Sequence, residues 1–293
     1  MHYDKIAGAP ISWGVCEVPN WGHQMSPERV FGEMASLGLT GTEFGPLGFL
    51  PVEPADRAKV LAELGMHATG GFFVVLLHRE DHDPLEPVKA ELESYLASGA
   101  TTLVLAADTG LVGYDAKRPE LDDAGWALVF KNLDRISDYA KSLGVQAVLH
   151  PHVGTMVETP EDITRIAEGS TINFCLDTGH FVVGGADPVS FSAKHPNRVA
   201  HSHLKDVDLA WANKVIAGDV AFYDAVVSGM FRPLGQGDVD IRSIVRNLLT
   251  NGYQGWFVLE QDCVLQAEPA AGEGPLADAK ASVEFLRSVI AEL

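Results

Sequence analysis

The sequence predicts a closed parallel (β/α)8 barrel, and three observations predict it. Short runs rich in Val, Ile, Leu and Phe alternate eight times with longer stretches of helical period, the order that buries a parallel sheet beneath its crossover helices. The helical stretches stop repeatedly at a glycine, as at Gly38, Gly65, Gly99, Gly144 and Gly169, where a left-handed closing turn favours a residue without Cβ. Four of the apolar runs end in ligand-type side chains: 145–152 (VQAVLHPH), 172–180 (INFCLDTGH), 199–206 (VAHSHLKD) and 256–262 (WFVLEQD). Strand tips of this kind meet when a sheet closes on itself and gathers its C-terminal ends on one rim. An open doubly wound sheet is the rival, but no G-x-G-x-x-G follows the first strand and no P-loop pattern occurs.

Each element has a local reason. Residues 5–13 (KIAGAPISW) read as the first strand, and Ser26-Pro27-Glu28 then supplies a cap, a proline at the first helical position and early negative charge for a helix reaching about residue 37. The second strand is 39–45 (LTGTEFG), with Glu43 near its exit; a short helix covers 55–64, and the third strand is 66–77, rich in Val and Phe. Asp83-Pro84 opens the third helix, 101–108 (TTLVLAAD) is the fourth strand, and 109–121 carry no period and read as a loop. The longest helical pattern, 122–143, puts Trp126, Leu128, Val129, Leu133, Ile136 and Ala140 at helical spacing. The fifth strand leads to His150 and His152, and Thr159-Pro160-Glu161-Asp162 caps the next helix. The sixth strand ends in LDTGH, Asp187-Pro188 starts another helix, and the seventh strand is 199–206. From 208 to 237 the pattern loosens, with a helical piece at 220–227 and a turn at PLGQG; helices at 240–249 and 276–293 flank the eighth strand, which ends at Glu260.

The 293 residues suit one barrel domain over 1–293, with no fixed-length repeat, linker or low-complexity segment. An apolar fraction of 46% provides a large core. The formal charge of −19, from 21 Lys+Arg against 40 Asp+Glu, repels phosphate backbones and anionic lipid, so neither nucleic acid nor a membrane is an expected partner. Three cysteines without a CxxC pair point to a reducing compartment. With no basic-then-apolar amino terminus and no apolar run of spanning length, a cytoplasmic protein is expected. A homo-oligomer is compatible with all of this.

Alternate side chains on a strand share a face, so His201 and His203 point the same way, and Glu260 shares a face with Val258 and Trp256. His150, Asp177, His203 and Glu260 occupy equivalent places on strands five to eight, and two imidazoles with two carboxylates suit a divalent cation such as Mn2+, Co2+, Zn2+ or Fe2+. Four unrelated polar residues are the plain alternative. His180, just beyond the sixth strand, reads as a substrate contact ahead of a donor that supports a ligand or an exposed loop histidine; His152 and His201 read either as site imidazoles or as polar residues satisfied inside the barrel. Lys205 could stabilise enolate charge or protonate a leaving hydroxyl, against a rim lysine paired with Asp206. Glu43 and Glu158 are the carboxylates left for proton transfer, Glu158 the weaker because it immediately precedes a helix cap. Trp13, at the exit of the first strand, is expected to form an apolar wall.

Taken together, APISWG, GTEFGP, LHPHVGT, LDTGH, HSHLKDV, LGQGDVD and VLEQD resemble the xylose-isomerase-like TIM barrels, and among them most closely the inosose dehydratases, which act on 2-keto-myo-inositol. The resemblance spans essentially the whole chain. It implies a divalent cation, Mn2+ or Co2+ ahead of Zn2+, Fe2+ or Mg2+, held at His150, Asp177, His203 and Glu260, and a small polyol or keto-sugar substrate. Many isomerases and epimerases of the superfamily carry Glu where this chain has His150, a departure that fits the dehydratase branch. The implied reaction removes the proton α to a ketone, with Glu43 or Glu158 as base. The resulting enediolate loses its β-hydroxyl with help from His180, His152 or Lys205, and a cyclic diketone forms. An isomerase or epimerase sharing that enediolate is the alternative, and a non-catalytic sugar-binding barrel is a third reading. Apurinic endonucleases share the fold family, but the −19 charge opposes the cationic groove they need.

Overall fold

Strands that are apolar on both faces need cover on both, and the chain supplies it by wrapping eight of them into a ring with helices outside. The computed structural model describes residues 3–114 and 116–293. The strands are β1 (Ile6–Gly8), β2 (Gly41–Glu43), β3 (His67–Val75), β4 (Thr102–Ala107), β5 (Gln146–Leu149), β6 (Asn173–Asp177), β7 (Val199–Leu204), β8 (Asp206–Val207), β9 (Phe231–Arg232) and β10 (Phe257–Leu259). All but β8 and β9 pair in parallel, and the barrel closes in the order β1-β10-β7-β6-β5-β4-β3-β2. The helices are α1 (Pro27–Ser36), α2 (Pro54–Glu63), α3 (Leu85–Ser98), α4 (Asp123–Ser142), α5 (Pro160–Gly169), α6 (Thr178–Val183), α7 (Pro188–Lys194), α8 (Leu209–Ile216), α9 (Phe222–Val227), α10 (Ile241–Thr250) and α11 (Pro275–Ala291). Local chemistry starts several of them: Ser26, Asp122, Thr159 and Asp187 each accept a backbone N–H of the following turn, and Thr159 with Asp162 completes a reciprocal capping box.

The main core lies between barrel and helices, where residues such as Leu103, Leu105, Leu149 and Phe174 meet Leu133, Ile136 and Leu248. Inside the barrel, Val104, Val148 and Cys175 pack with Ala200, and Ala7, Ala9 and Val258 pack with Trp256. A Cβ on Gly41 would lie 2.7 Å from the Trp256 ring and 2.8 Å from Thr69, so the indole crosses the interior at a place where only glycine leaves room. With the interior filled, a site can open only at the C-terminal rim.

Most strands are shorter than their sequences suggest, and three of them have a local cause. Pro10 has no N–H to continue a ladder, so β1 ends at Gly8 and residues Pro10–Trp13 turn into a 3-10 helix. Pro151 likewise ends β5 before the histidines, although the His150 N–H still reaches Leu105 O at 2.7 Å. The sixth strand stops at Asp177, because its carboxylate caps α6 by accepting the His180 N–H at 2.8 Å. The loosely patterned 208–237 stretch is ordered into α8, α9 and β9, which pairs antiparallel with β8 just before it, and it joins a second apolar cluster with Trp21 and Tyr114. Among the described residues no helix is long and apolar enough to cross a membrane.

Candidate active site

Parallel pairing sets Asp177 of β6 beside His203 of β7 and His203 beside Val258 of β10, one residue pair below Glu260. His203 Nδ1 lies 2.6 Å from Glu260 Oε2 and 3.5 Å from Asp177 Oδ2, and His150 Nε2 lies 3.2 Å from the same Asp177 oxygen. These four atoms are buried, yet none has a hydrogen bond of sound geometry. Buried polar atoms are ordinarily satisfied, so these unsatisfied ligand-type atoms fit a cation: Asp177, His203 and Glu260 lie close enough to share one, and His150 adjoins them through Asp177. Below them, Glu43 Oε1 accepts from Nε2 of both His203 and His201 at 3.0 Å. That contact fixes the ring of His203 so that its other nitrogen faces Asp177 and Glu260.

Lys205 is fully buried, with its ammonium 2.8 Å from Asp262, 3.2 Å from Glu260 and 3.4 Å from Asp177. Burial opposes its charge, but Asp177 and Asp262 outweigh that and hold its pKa well above the usual lysine value. Burial pushes Asp262 up to about 6 against the pull of Lys205. Glu260, where burial is outweighed by His203 and Lys205, is held at about 2. Glu43 is opposed by burial too, and the imidazoles of His203 and His201 keep it well below the carboxylate range. His152 is pushed down to about 3 by burial and by His150, so it is a neutral ring. Its Nδ1–H donates to Val153 O at 2.7 Å, which leaves Nε2 as an acceptor.

Above this floor is a cavity of about 320 Å3, lined at the bottom by Glu43, His150, His152, His203, Glu260 and Asp262 and at the sides by apolar residues including Trp21, Phe72 and Tyr114. The family pattern described as Xylose isomerase-like TIM barrel matches residues 31–289. The chain belongs to that family. It is 34% identical to the rhizopine catabolism protein MocC of Rhizobium meliloti, over 88% of this chain and 81% of that protein. It is 32% identical to an inosose dehydratase of Geobacillus thermodenitrificans, over 88% and 89% of the two chains. Among solved structures, that of the IolI protein with a binding zinc atom matches with a TM-score of 0.70 at 15% identity, covering 98% of both chains, a likeness of fold.

Within this family barrel the residues singled out from sequence divide. Asp177, His203 and Glu260 meet, and His150 reaches Asp177; Glu43 and His152 line the same cavity, and His201 bonds Glu43 through Nε2 while its buried Nδ1 makes no hydrogen bond. Lys205 points to Asp262, Glu260 and Asp177 rather than to Asp206, and it sits behind the cavity wall. His180 is buried behind His152, with ring centroids 3.7 Å apart, and its Nδ1 accepts the Val153 N–H at 3.4 Å; it does not line the cavity. Glu158 lies elsewhere, on a groove of about 1020 Å3 beside Arg118 and Glu161, where it accepts the Gly154 N–H at 3.1 Å. Trp13 is turned away by the 3-10 helix and donates to Glu33 at 2.8 Å, so the indole in the cavity wall is Trp21. Asp262 escaped the sequence reading, although it stands two residues beyond Glu260 on the same face.

Proposed function

We propose that this chain is a lyase, one barrel domain over 1–293 working in the cytoplasm, that eliminates water from a keto-inositol or a close cyclic analogue. It would use a divalent cation held by His150, Asp177, His203 and Glu260. The observation that carries the reading is the convergence of unsatisfied ligand-type atoms of Asp177, His203 and Glu260, with His150 beside them, at the floor of a cavity in a chain similar to inosose dehydratases over most of its length. Two nitrogens and two oxygens suit Mn2+ or Co2+, and Zn2+ also fits. A bound cation would supply Lewis acidity for the ketone oxygen and so favour loss of the neighbouring proton.

The chain's own groups provide the rest. Outside the proposed ligands, the titratable residues of the cavity floor are Glu43, His152 and Asp262, and the proton transfers fall to them. Glu43 commits Oε1 to the two histidines and has Oε2 outside those bonds, so we assign it the α-proton. His152 Nε2 would accept a hydrogen bond from a ring hydroxyl, and Asp262, raised to about 6, would give its proton to the departing one. Lys205 acts on the substrate only through the carboxylates it holds. The test is turnover of 2-keto-myo-inositol by metal-free and Mn2+-loaded protein, followed by mass and ultraviolet spectra. A product lighter by one water with a new enol band supports the dehydratase. An isomeric ketone of unchanged mass would replace it with an isomerase or epimerase.

A further inference from the structure

Lys205 brings a fixed positive charge to the edge of the proposed cation site. Its side chain is fully buried, the ammonium lies over the Phe231 ring at 5.0 Å, and three carboxylates stand within 3.4 Å of it. The fold is built around this placement. The Thr178 hydroxyl bonds both backbone groups of Lys205 at 2.8 Å, and a Cβ on Gly179 would lie 2.6 Å from Lys205 Cδ, so α6 leaves out a side chain where the lysine stem passes. The oxygens of the three carboxylates are shared out. Glu260 gives Oε1 to Lys205 at 3.2 Å and turns Oε2 to His203 Nδ1 at 2.6 Å. Asp177 gives Oδ1 to the His180 N–H, and its Oδ2 faces His150, His203 and, at 3.4 Å, Lys205. Asp262 Oδ1 accepts the shortest bond, 2.8 Å, and among the described residues Asp262 is in none of the groupings whose ligand atoms could share a cation.

A unit charge this close to two proposed ligands opposes a second positive charge on the same carboxylates, and buried charges are screened far less than exposed ones. We infer that Lys205 competes with the divalent cation for Asp177 and Glu260, and that Asp262, by holding the ammonium, sets how strongly the cation binds. This rests on the proposed cation site and adds to it a pair of positioning residues. With Asp262 drawing the ammonium to one side, Asp177 Oδ2 and Glu260 Oε2 are left for the cation. Without Asp262, the ammonium would settle on those two carboxylates. In chelator-treated protein the same ammonium offsets charge that would otherwise be buried unpaired.

The test is calorimetric titration of the full-length, chelator-treated protein with Mn2+. Lys205→Met removes the charge and keeps most of the stem, so its Mn2+ dissociation constant should fall at least about tenfold, while its melting temperature without metal drops below that of wild type. Asp262→Asn frees the ammonium and should raise the dissociation constant about tenfold. In the Lys205→Met background the same change should move it less than about threefold, because the charge of Asp262 is lost in both backgrounds and only the first keeps the ammonium. An Asp262→Asn effect equal in both backgrounds overturns the inference. Should metal-free Lys205→Met not stay folded, the variant is prepared with Mn2+ and its release to excess chelator is timed: slower release than wild type supports the competition, and equal or faster release overturns it. Wild type that takes up no Mn2+ overturns the ligand set and the inference with it, whereas stoichiometric uptake by wild type with equal or weaker affinity in Lys205→Met overturns the inference alone.

Discussion

The two carboxylate oxygens of Glu43 have different surroundings, and the difference sets what a substitution should do. Glu43→Gln keeps an oxygen able to accept from His201 and His203, so bound metal should be retained, while loss of the base should lower kcat at least about a hundredfold. Metal analysis beside single-turnover kinetics separates the two effects, and metal loss in this variant would make Glu43 a positioning residue instead. Glu158→Gln is the comparison, since Glu158 lies on another groove, and its turnover should stay within about twofold of wild type. His203→Ala and Glu260→Ala should each lose bound metal and most activity with the circular dichroism spectrum preserved; stoichiometric metal in both would remove the proposed ligand set. The thiols give a prediction with a sign. Burial, reinforced by Glu17, pushes Cys16 up to about 12, and burial pushes Cys263 up to about 12 as well. A raised pKa keeps a thiol protonated, so both should resist iodoacetamide at pH 8 and react about tenfold faster for each added pH unit until that pKa is approached. Rapid labelling of Cys16 at pH 8 would contradict it.

At the scale of elements, the junction after β7 shows what local patterns can and cannot reveal. Successive residues of an extended chain face opposite ways, so Lys205 enters the carboxylate cluster while Asp206 turns to the loop after β9. The buried Asp206 carboxylate accepts the N–H groups of Val207, Gly235, Gly237 and Val239 at 2.8–3.0 Å. Asp206→Ala leaves several of those donors unpaired and should cost about 3 kcal/mol or more in urea unfolding. Gly237→Ala would put a Cβ 2.3 Å from Asp206 Oδ1, and we expect a loss of about 1–3 kcal/mol; an unchanged midpoint would mean that the loop moves freely. The LGQGDVD turn is legible in the sequence because glycine and proline mark turns, but its anchor 29–33 residues away is not. Helix starts are legible for the same local reason, as at Ser26, Thr159 and Asp187. Strand exits are less so: Pro10 and Pro151 stop ladders that the apolar runs alone would prolong, and Asp177 serves at once as strand end and helix cap.

For the whole molecule, closure decides which site residues the sequence reveals. His150, Asp177, His203 and Glu260 needed only strand parity and a shared rim to be brought together, and the barrel provides both. Trp21 and Tyr114 come from loops without a period, and Phe72 and Val74 look in sequence like any buried strand, so the apolar part of the cavity lining became visible only in three dimensions. Because the proposed ligands come from four neighbouring segments of one closed ring, a cation would tie together parts of the chain that unfold together, and its binding energy should appear as stability of the barrel. At a free concentration 100 times its Kd a ligand adds about 2.7 kcal/mol, and each kcal/mol moves the Tm of a domain of this size by roughly 2–4 °C. Mn2+-loaded protein should therefore melt about 5–10 °C above the chelator-treated protein. A chain of net charge −19 also attracts divalent ions to its surface, so the rise alone would not identify the site. His203→Ala resolves this, because with His counted as neutral the formal charge is unchanged while one proposed ligand is gone. The variant should show little or no rise with Mn2+, and a rise equal to that of wild type would place the stabilising cation on the acidic surface and remove the four-strand site from the proposed mechanism.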